Sequence, residues 1–233
     1  MASRYVDIEA ADGGRFSAYM TGPPGHKVPG VVVIQEIFGI NSFVREFAER
    51  LASIGYLAVV PDLFWRQQPG IDITDKSEAE WNQAFKLYQG FDEALGIADL
   101  AAAIDFVRGQ ADCTGKVGCA GFCLGGMLAY VTAARTDVDC GVGYYGVGIE
   151  GALDEAANIS KPLMLHIAGN DSYCAAEAQA RIAQGLGGHP QVTLHSYAGM
   201  EHAFARIGGE HFDTQAAARA DGRTLEFLNA HLT

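Results

Sequence analysis

Basic residues are scarce in this 233-residue chain: 16 Lys and Arg stand against 28 Asp and Glu, giving a net charge of −12. No basic cluster interrupts the acidity, so a nucleic-acid partner finds no electrostatic footprint, and an anionic substrate must be met by locally placed cations. Cysteine is sparse too. The five are odd in number, scattered and without a C-x-x-C pair, which argues against a disulfide framework and a zinc knuckle. No apolar run approaches the length that spans a bilayer. Met1-Ala2-Ser3-Arg4-Tyr5-Val6-Asp7 lacks the apolar core of a secretion signal. A soluble, cytoplasmic protein with reduced thiols and no membrane partner is expected. Repeats, low-complexity segments and linkers are also missing, so residues 1–233 are expected to form one domain, acting as a monomer.

What is present reads as an ordered globular chain, with 49% hydrophobic and 19% charged residues. Tyr5–Ala10 and Phe16–Met20 alternate around Ala11-Asp12-Gly13-Gly14, a hairpin pattern. Val28–Gln35 is a β-branched run suited to a buried strand, and Asn41 or Ser42 then caps a helix ending at Gly55. Strands are expected at Tyr56–Pro61, Lys116–Phe122, Cys140–Gly146, Pro162–Ala168 and Val192–Tyr197. Helices are expected at Asp75–Gln89, Asp92–Arg108, Leu124–Arg135, Ala175–Leu186 and Gln215–His231. Such alternation predicts an α/β fold, a mostly parallel sheet with helices on both faces.

The most informative segment is Gly121-Phe122-Cys123-Leu124-Gly125-Gly126, between an expected strand and an expected helix. Glycine stands two residues before and two after the cysteine, the spacing of a nucleophile elbow with sulfur in place of a hydroxyl. The bend lifts one side chain above the sheet and leaves no room beside it for a Cβ. The helix that follows turns its positive end toward the sulfur and favours thiolate, the reactive form. A small apolar core residue is the alternative fate of a cysteine in such a turn.

An elbow nucleophile needs a base and a group to orient it, in the chain order nucleophile, acid, histidine. Asp171 follows the strand ending at Ala168, and His202 follows the strand ending at Tyr197. Chemistry in open α/β sheets gathers outside the carboxyl ends of strands. Asp171 could instead cap the helix near Ala175, and Glu201 is a second candidate orienter, though adjacent residues seldom face each other. His166, inside an apolar strand, reads as a core residue.

The segments Val33-Ile34-Gln35-Glu36-Ile37-Phe38-Gly39, Val60-Pro61-Asp62-Leu63-Phe64, Gly121–Gly126, Gly143-Tyr144-Tyr145-Gly146 and His202-Ala203-Phe204-Ala205-Arg206 resemble the dienelactone hydrolase family, essentially end to end. The resemblance implies an α/β-hydrolase fold and hydrolysis of an enol-lactone, 4-carboxymethylenebut-2-en-4-olide, to maleylacetate in (chloro)catechol breakdown. It makes Cys123 the nucleophile, His202 the general base and acid, Asp171 its orienter, and Glu36 the acid that helps ionise the thiol when substrate arrives. The backbone N–H groups of Ile37 and Leu124 would form the oxyanion hole. No metal or cofactor is implied, and the partner is a small-molecule lactone or ester.

One position departs from the pattern. The family holds its substrate's carboxylate with two arginines. Arg206 matches one, but Trp81 stands where the other falls, with Lys86 and Arg66 as possible substitutes. Two alternatives follow, a carboxylesterase or lactonase for a less charged ester, and a non-catalytic relative that binds a small molecule. Phe38, beside the expected oxyanion hole, is the leading candidate with Trp81 and Arg206 for substrate contact, and the roles of Tyr144 and Tyr145 stay open.

Overall fold

The computed structural model describes residues 2–233. They fall into two compact units, one up to Gly118 and one from Cys119 onward, with the boundary inside a single strand.

The first unit opens with a hairpin of β1 (Ala2–Glu9) and β2 (Arg15–Gly22), joined through Gly13 at φ 86°. Strand β2 pairs antiparallel with β4 (Leu57–Pro61), and β4 pairs parallel with β3 (Val28–Ile34). Every residue of β3 after Val28 is buried, as its unbroken apolar run requires. Helix α1 (Ser42–Ser53) starts where Asn41 Oδ1 accepts from the Val44 N–H at 3.3 Å, and it buries Phe43, Val44, Phe47, Ala48, Leu51 and Ala52 along one stripe. Helices α2 (Glu78–Gln89) and α3 (Glu93–Arg108) are capped by Ser77 and Asp92. Gly30 lets α3 approach β3: a Cβ there would stand 2.3 Å from Val107 Cγ1.

The second unit holds the end of β5 (Cys113–Phe122), then α4 (Leu124–Arg135), β6 (Cys140–Tyr144), β7 (Leu163–Ala168), α5 (Ala176–Leu186), β8 (Val192–Tyr197) and α6 (Thr214–Leu232). β6 pairs parallel with β7, and β7 with β8. Helix α4 sits close on β6 because both carry glycine where they meet. A Cβ on Gly126 would lie 2.4 Å from the Tyr144 carbonyl oxygen, and one on Gly143 would lie 2.7 Å from that of Gly126.

Among the described residues, eight strands, mostly parallel and interleaved with helices, make this an α/β-hydrolase fold. Several expected boundaries shift. β1 begins at Ala2 rather than Tyr5, β2 runs to Gly22 rather than Met20, and β6 ends at Tyr144 rather than Gly146. Helix α2 begins at Glu78, because Asp75 and Lys76 precede the cap at Ser77, and β5 begins three residues before Lys116. Short 3-10 turns at Ile149–Gly151 and Leu153–Asn158 carry no periodic pattern that would have marked them. Among the described residues, no helix is long and apolar enough to cross a membrane.

Candidate active site

All five cysteines are thiols, and four of them are buried. Burial pushes Cys119 up to about 12 and Cys174 up to about 11, so neither ionises near neutrality. Cys123 alone is partly exposed. It stands between β5 and α4 at φ 55°, ψ −113°, a conformation that costs an L-residue on the order of 1–3 kcal/mol. The turn is held on both sides: the Cys123 N–H donates to the Tyr144 carbonyl at 3.0 Å, and the Cys123 carbonyl accepts from Gly126 N–H at 2.9 Å and Met127 N–H at 3.2 Å. Gly121 is obligatory here. A Cβ on it would lie 2.0 Å from the Gly125 carbonyl oxygen. Leu124 opens α4, so its N–H has no acceptor inside the helix.

His202 and Asp171 come to this cysteine from the ends of β8 and β7. Nδ1 of His202 lies 2.8 Å from Oδ2 of Asp171, while Oδ1 of the same carboxylate accepts the Tyr173 N–H at 2.8 Å. Both side chains are buried. Asp171 therefore does not cap α5, whose N-cap residue is Ala175 and has no side-chain cap. The two loops are tied together: Gly169 N–H donates to the Tyr197 carbonyl and Asn170 N–H to the Met200 carbonyl, both at 2.9 Å. The Asn170 amide also donates to the Glu201 carboxylate. Glu201 thus clamps the loop rather than orienting the histidine.

The His202 imidazole is raised to about 10. Burial alone would lower it, but the charge of Cys123, the hydrogen bonds to Asp171 and Cys123, and the charge of Asp171 more than offset that. The ring is thereby held as an imidazolium at neutral pH. The rings of Tyr145 (φ 38°) and Tyr173 pack T-shaped against the imidazole, with centroids at 5.1 Å and 4.9 Å. Arg206 is buried in the turn that follows, its N–H donating to the Ala203 carbonyl at 2.9 Å. Tyr144, by contrast, is a core residue.

In the first unit, Glu36, Ile37 and Phe38 are buried directly after β3. Gln35 Nε2 donates to the Glu36 carbonyl at 3.3 Å, and Gln35 Oε1 accepts the Leu63 N–H at 3.1 Å. In a trans peptide the carbonyl and the following N–H point in opposite directions, so holding the Glu36 carbonyl fixes the direction of the Ile37 N–H. The loop before α2 crosses this segment: Ile73 N–H donates to the Phe38 carbonyl at 3.1 Å, and Gly39 (φ 74°) leaves no space for a Cβ against the Ile71 carbonyl at 2.0 Å. Asp62 holds that loop by accepting from Phe64 N–H at 3.0 Å and Gly70 N–H at 2.7 Å.

Trp81 packs edge-on to Phe38 at 5.2 Å and stacks on Phe85 at 5.4 Å, with its Nε1–H on the Asp75 carbonyl at 3.1 Å. Arg66, one of the two cations considered beside Trp81, is already engaged by acids. It pairs with Asp99 and with Asp12 (2.7 Å), and its guanidinium lies 4.2 Å over the Trp65 ring. Lys86 lines a separate cleft of about 560 Å³ with Gln67, Gln68, Asn82, Gln83 and Leu87.

Sequence reasoning missed Gln35, Tyr173 and the Asn170–Glu201 clamp. Gln35 ends a buried apolar strand immediately before Glu36, and a polar side chain there is the signal that could have marked it. Among the described residues, no group of three His, Cys, Asp or Glu side chains is placed to hold a metal.

A strand-end thiol joined to a histidine–carboxylate pair, on this fold, defines an α/β-hydrolase. The profile of the Dienelactone hydrolase family matches residues 16–232, and the chain belongs to that family. It is 45% identical over 238 residues to a protein of Azospirillum brasilense, covering 97% of this chain and 98% of that protein. It is 41% identical over 228 residues to the carboxymethylenebutenolidase of Pseudomonas putida, covering 98% and 97%. Among solved structures, a dienelactone hydrolase-like promiscuous phosphotriesterase from metagenomic libraries superposes with a TM-score of 0.83 at 22% identity over 100% of both chains, a likeness of fold alone. The protein is a hydrolase acting on lactone or ester bonds.

Proposed function

We propose that this chain hydrolyses 4-carboxymethylenebut-2-en-4-olide to maleylacetate through a Cys123 thioester, within the breakdown of (chloro)catechols. The observation that carries the reading is the 2.8 Å Asp171–His202 contact, with the imidazole close enough to Cys123 for the sulfur to help raise it. Relatives named carboxymethylenebutenolidase at 40–41% identity over nearly the full chain support the substrate.

In this mechanism the Cys123 thiolate attacks the lactone carbonyl carbon. The resulting oxyanion is met by the N–H groups of Leu124 and Ile37, donors typically worth roughly 3–4 kcal/mol of barrier each. Collapse breaks the ring C–O bond and expels an enolate, which takes the proton carried by the His202 imidazolium as it becomes the ketone of maleylacetate, leaving His202 neutral. Water then attacks the thioester while His202 accepts its proton, the C–S bond breaks, and the thiolate is restored. Asp171 keeps the imidazole oriented. Glu36 assists ionisation of the thiol, Arg206 receives the substrate carboxylate, and Phe38 and Trp81 flank the ring. The same reading takes residues 1–233 as one cytoplasmic, monomeric domain that acts on a small molecule without metal or cofactor, and without nucleic-acid or membrane partners.

With Trp81 at the second arginine position and Arg66 committed to Asp12 and Asp99, the carboxylate is held more weakly than by two guanidinium groups. The deciding experiment compares kcat/KM for the dienelactone with that for a neutral aryl ester, using Cys123→Ala as the blank. The dienelactone is expected to be preferred, and Cys123→Ala to be folded and inactive. A preference for the neutral ester by orders of magnitude would replace this substrate with a less charged one, and turnover by Cys123→Ala would end the thioester mechanism.

A further inference from the structure

Beneath the catalytic loops runs a chain of hydrogen bonds, buried at its centre and half-buried at its two ends, that the reaction itself does not use. Arg223 on α6 donates to the Tyr197 hydroxyl at 3.1 Å, and that hydroxyl lies 2.9 Å from Nδ1 of His166. Nε2 of His166 lies 3.0 Å from the Thr224 hydroxyl, which lies 2.6 Å from the Tyr144 hydroxyl, and Tyr144 donates to Asp221 at 3.0 Å.

Donor accounting gives the chain one direction. Tyr197 accepts from a guanidinium and so gives its own proton to Nδ1, leaving neutral His166 with its proton on Nε2. Thr224 accepts that proton and passes its own to Tyr144, which is already a donor to a carboxylate. Each hydroxyl is used once in each sense, from a cation at one end to an anion at the other, which is the condition under which a buried polar network rigidifies its surroundings.

Three strands meet in this chain, and each ends at the catalytic pair. Tyr144 closes β6, and the next residue, Tyr145, packs on the His202 ring. His166 lies on β7, which leads through Gly169 and Asn170 to Asp171. Tyr197 closes β8, five residues before His202. Register agrees: Tyr144 pairs with His166, and Ala168 with Tyr197. We propose that this Arg223-to-Asp221 chain is a positioning device, through which α6 sets the relative placement of Asp171, His202 and Tyr145. The groups facing His166 are Tyr144 from β6, His195 and Tyr197 from β8, and Arg223 and Thr224 from α6. Burial, then the charges of His195 and Arg223, lower His166 to about 3, so it stays neutral and the direction of the chain is kept at working pH.

The proposal rests on the catalytic pair named above, so its test includes a measurement free of substrate. Thr224→Val breaks the chain at its middle with little change of volume, and Thr224→Ser restores the hydroxyl. Two quantities are followed: kcat and KM for hydrolysis, and the pH profile of Cys123 alkylation by iodoacetamide. Thr224→Val is expected to lower kcat about tenfold with KM within about twofold, and to move the alkylation midpoint by about one unit. Thr224→Ser is expected to recover both. If Thr224→Val lowers only Tm, with kcat and the alkylation profile as in the parent, the network is structural filling and the proposal is overturned. Should Thr224→Val fail to fold, Tyr197→Phe breaks the chain next to its Arg223 end while keeping the ring on Phe204 (centroids 4.8 Å), and is judged by the same two readouts. Hydrolysis that survived His202→Ala would refute the catalytic assignment alone, since the alkylation profile still judges the brace.

Discussion

The carboxylate of Asp171 divides its two oxygens, one on the Tyr173 N–H and the other on Nδ1 of His202, each at 2.8 Å. The backbone bond fixes the plane of the carboxylate, and that plane fixes the imidazole. Nδ1 then carries a proton in either charge state of the ring, so Nε2 is the nitrogen that gives up a proton to the leaving enolate and takes one from water.

Asp171→Asn tests this division. An Asn side chain has one acceptor, and the Tyr173 N–H claims it, so the amide NH₂ turns toward Nδ1 and forces the opposite tautomer. The kcat is expected to fall at least about a hundredfold with little change in KM. His202 also loses a source of its raised pKa and should titrate lower by NMR. An unchanged kcat would show that the carboxylate does not orient the base.

A second test concerns the other half of the proposed oxyanion hole. Gln35→Met keeps volume but removes the donor on the Glu36 carbonyl and the acceptor for the Leu63 N–H. Removal of an oxyanion donor costs roughly 10²–10³ in kcat. Here the donor stays and only its alignment loosens, so a loss of about tenfold is expected, in kcat rather than KM. A loss confined to KM would place Gln35 in substrate binding instead.

Much of this was legible in the sequence because local rules and global fold agree. Helix α4 spans the expected Leu124–Arg135 because the elbow before it and Thr136 after it leave little freedom. β8 is likewise found at Val192–Tyr197. The chain order and strand-end positions of Cys123, Asp171 and His202 could be listed from sequence, since parallel strands deliver their loops to one end of a sheet. Contacts between elements could not. Nothing in the spacing of Asn170 and Glu201, 31 residues apart, says that they clamp two loops, or that Glu201 is thereby withdrawn from His202. Arg66 reads as an available cation until Asp12 and Asp99, 54 and 33 residues away, are seen to hold it. His166 was readable as a core histidine, but its partners Thr224 and Tyr197 lie on other elements.

The two buried histidines predict how stability follows pH, with opposite signs. His166 is lowered from 6.5 to about 3. Between those values the unfolded chain binds the proton and the folded one does not, so its contribution is complete above pH 6.5 and is lost as pH falls toward 3. His202 is raised from 6.5 to about 10. Its contribution is complete below pH 6.5 and is lost as pH rises through 10. As far as these two groups decide it, stability peaks near pH 6.5 and declines on both sides. Urea unfolding midpoints at acid, neutral and alkaline pH check this, with variants assigning each limb. His202→Gln is expected to flatten the alkaline decline and leave the acid one, whereas His166→Gln, which can keep one of the two hydrogen bonds, should flatten only the acid decline. An alkaline limb as steep in His202→Gln as in the parent would mean that the imidazole is not held protonated, and that the resting site is a neutral thiol–imidazole pair.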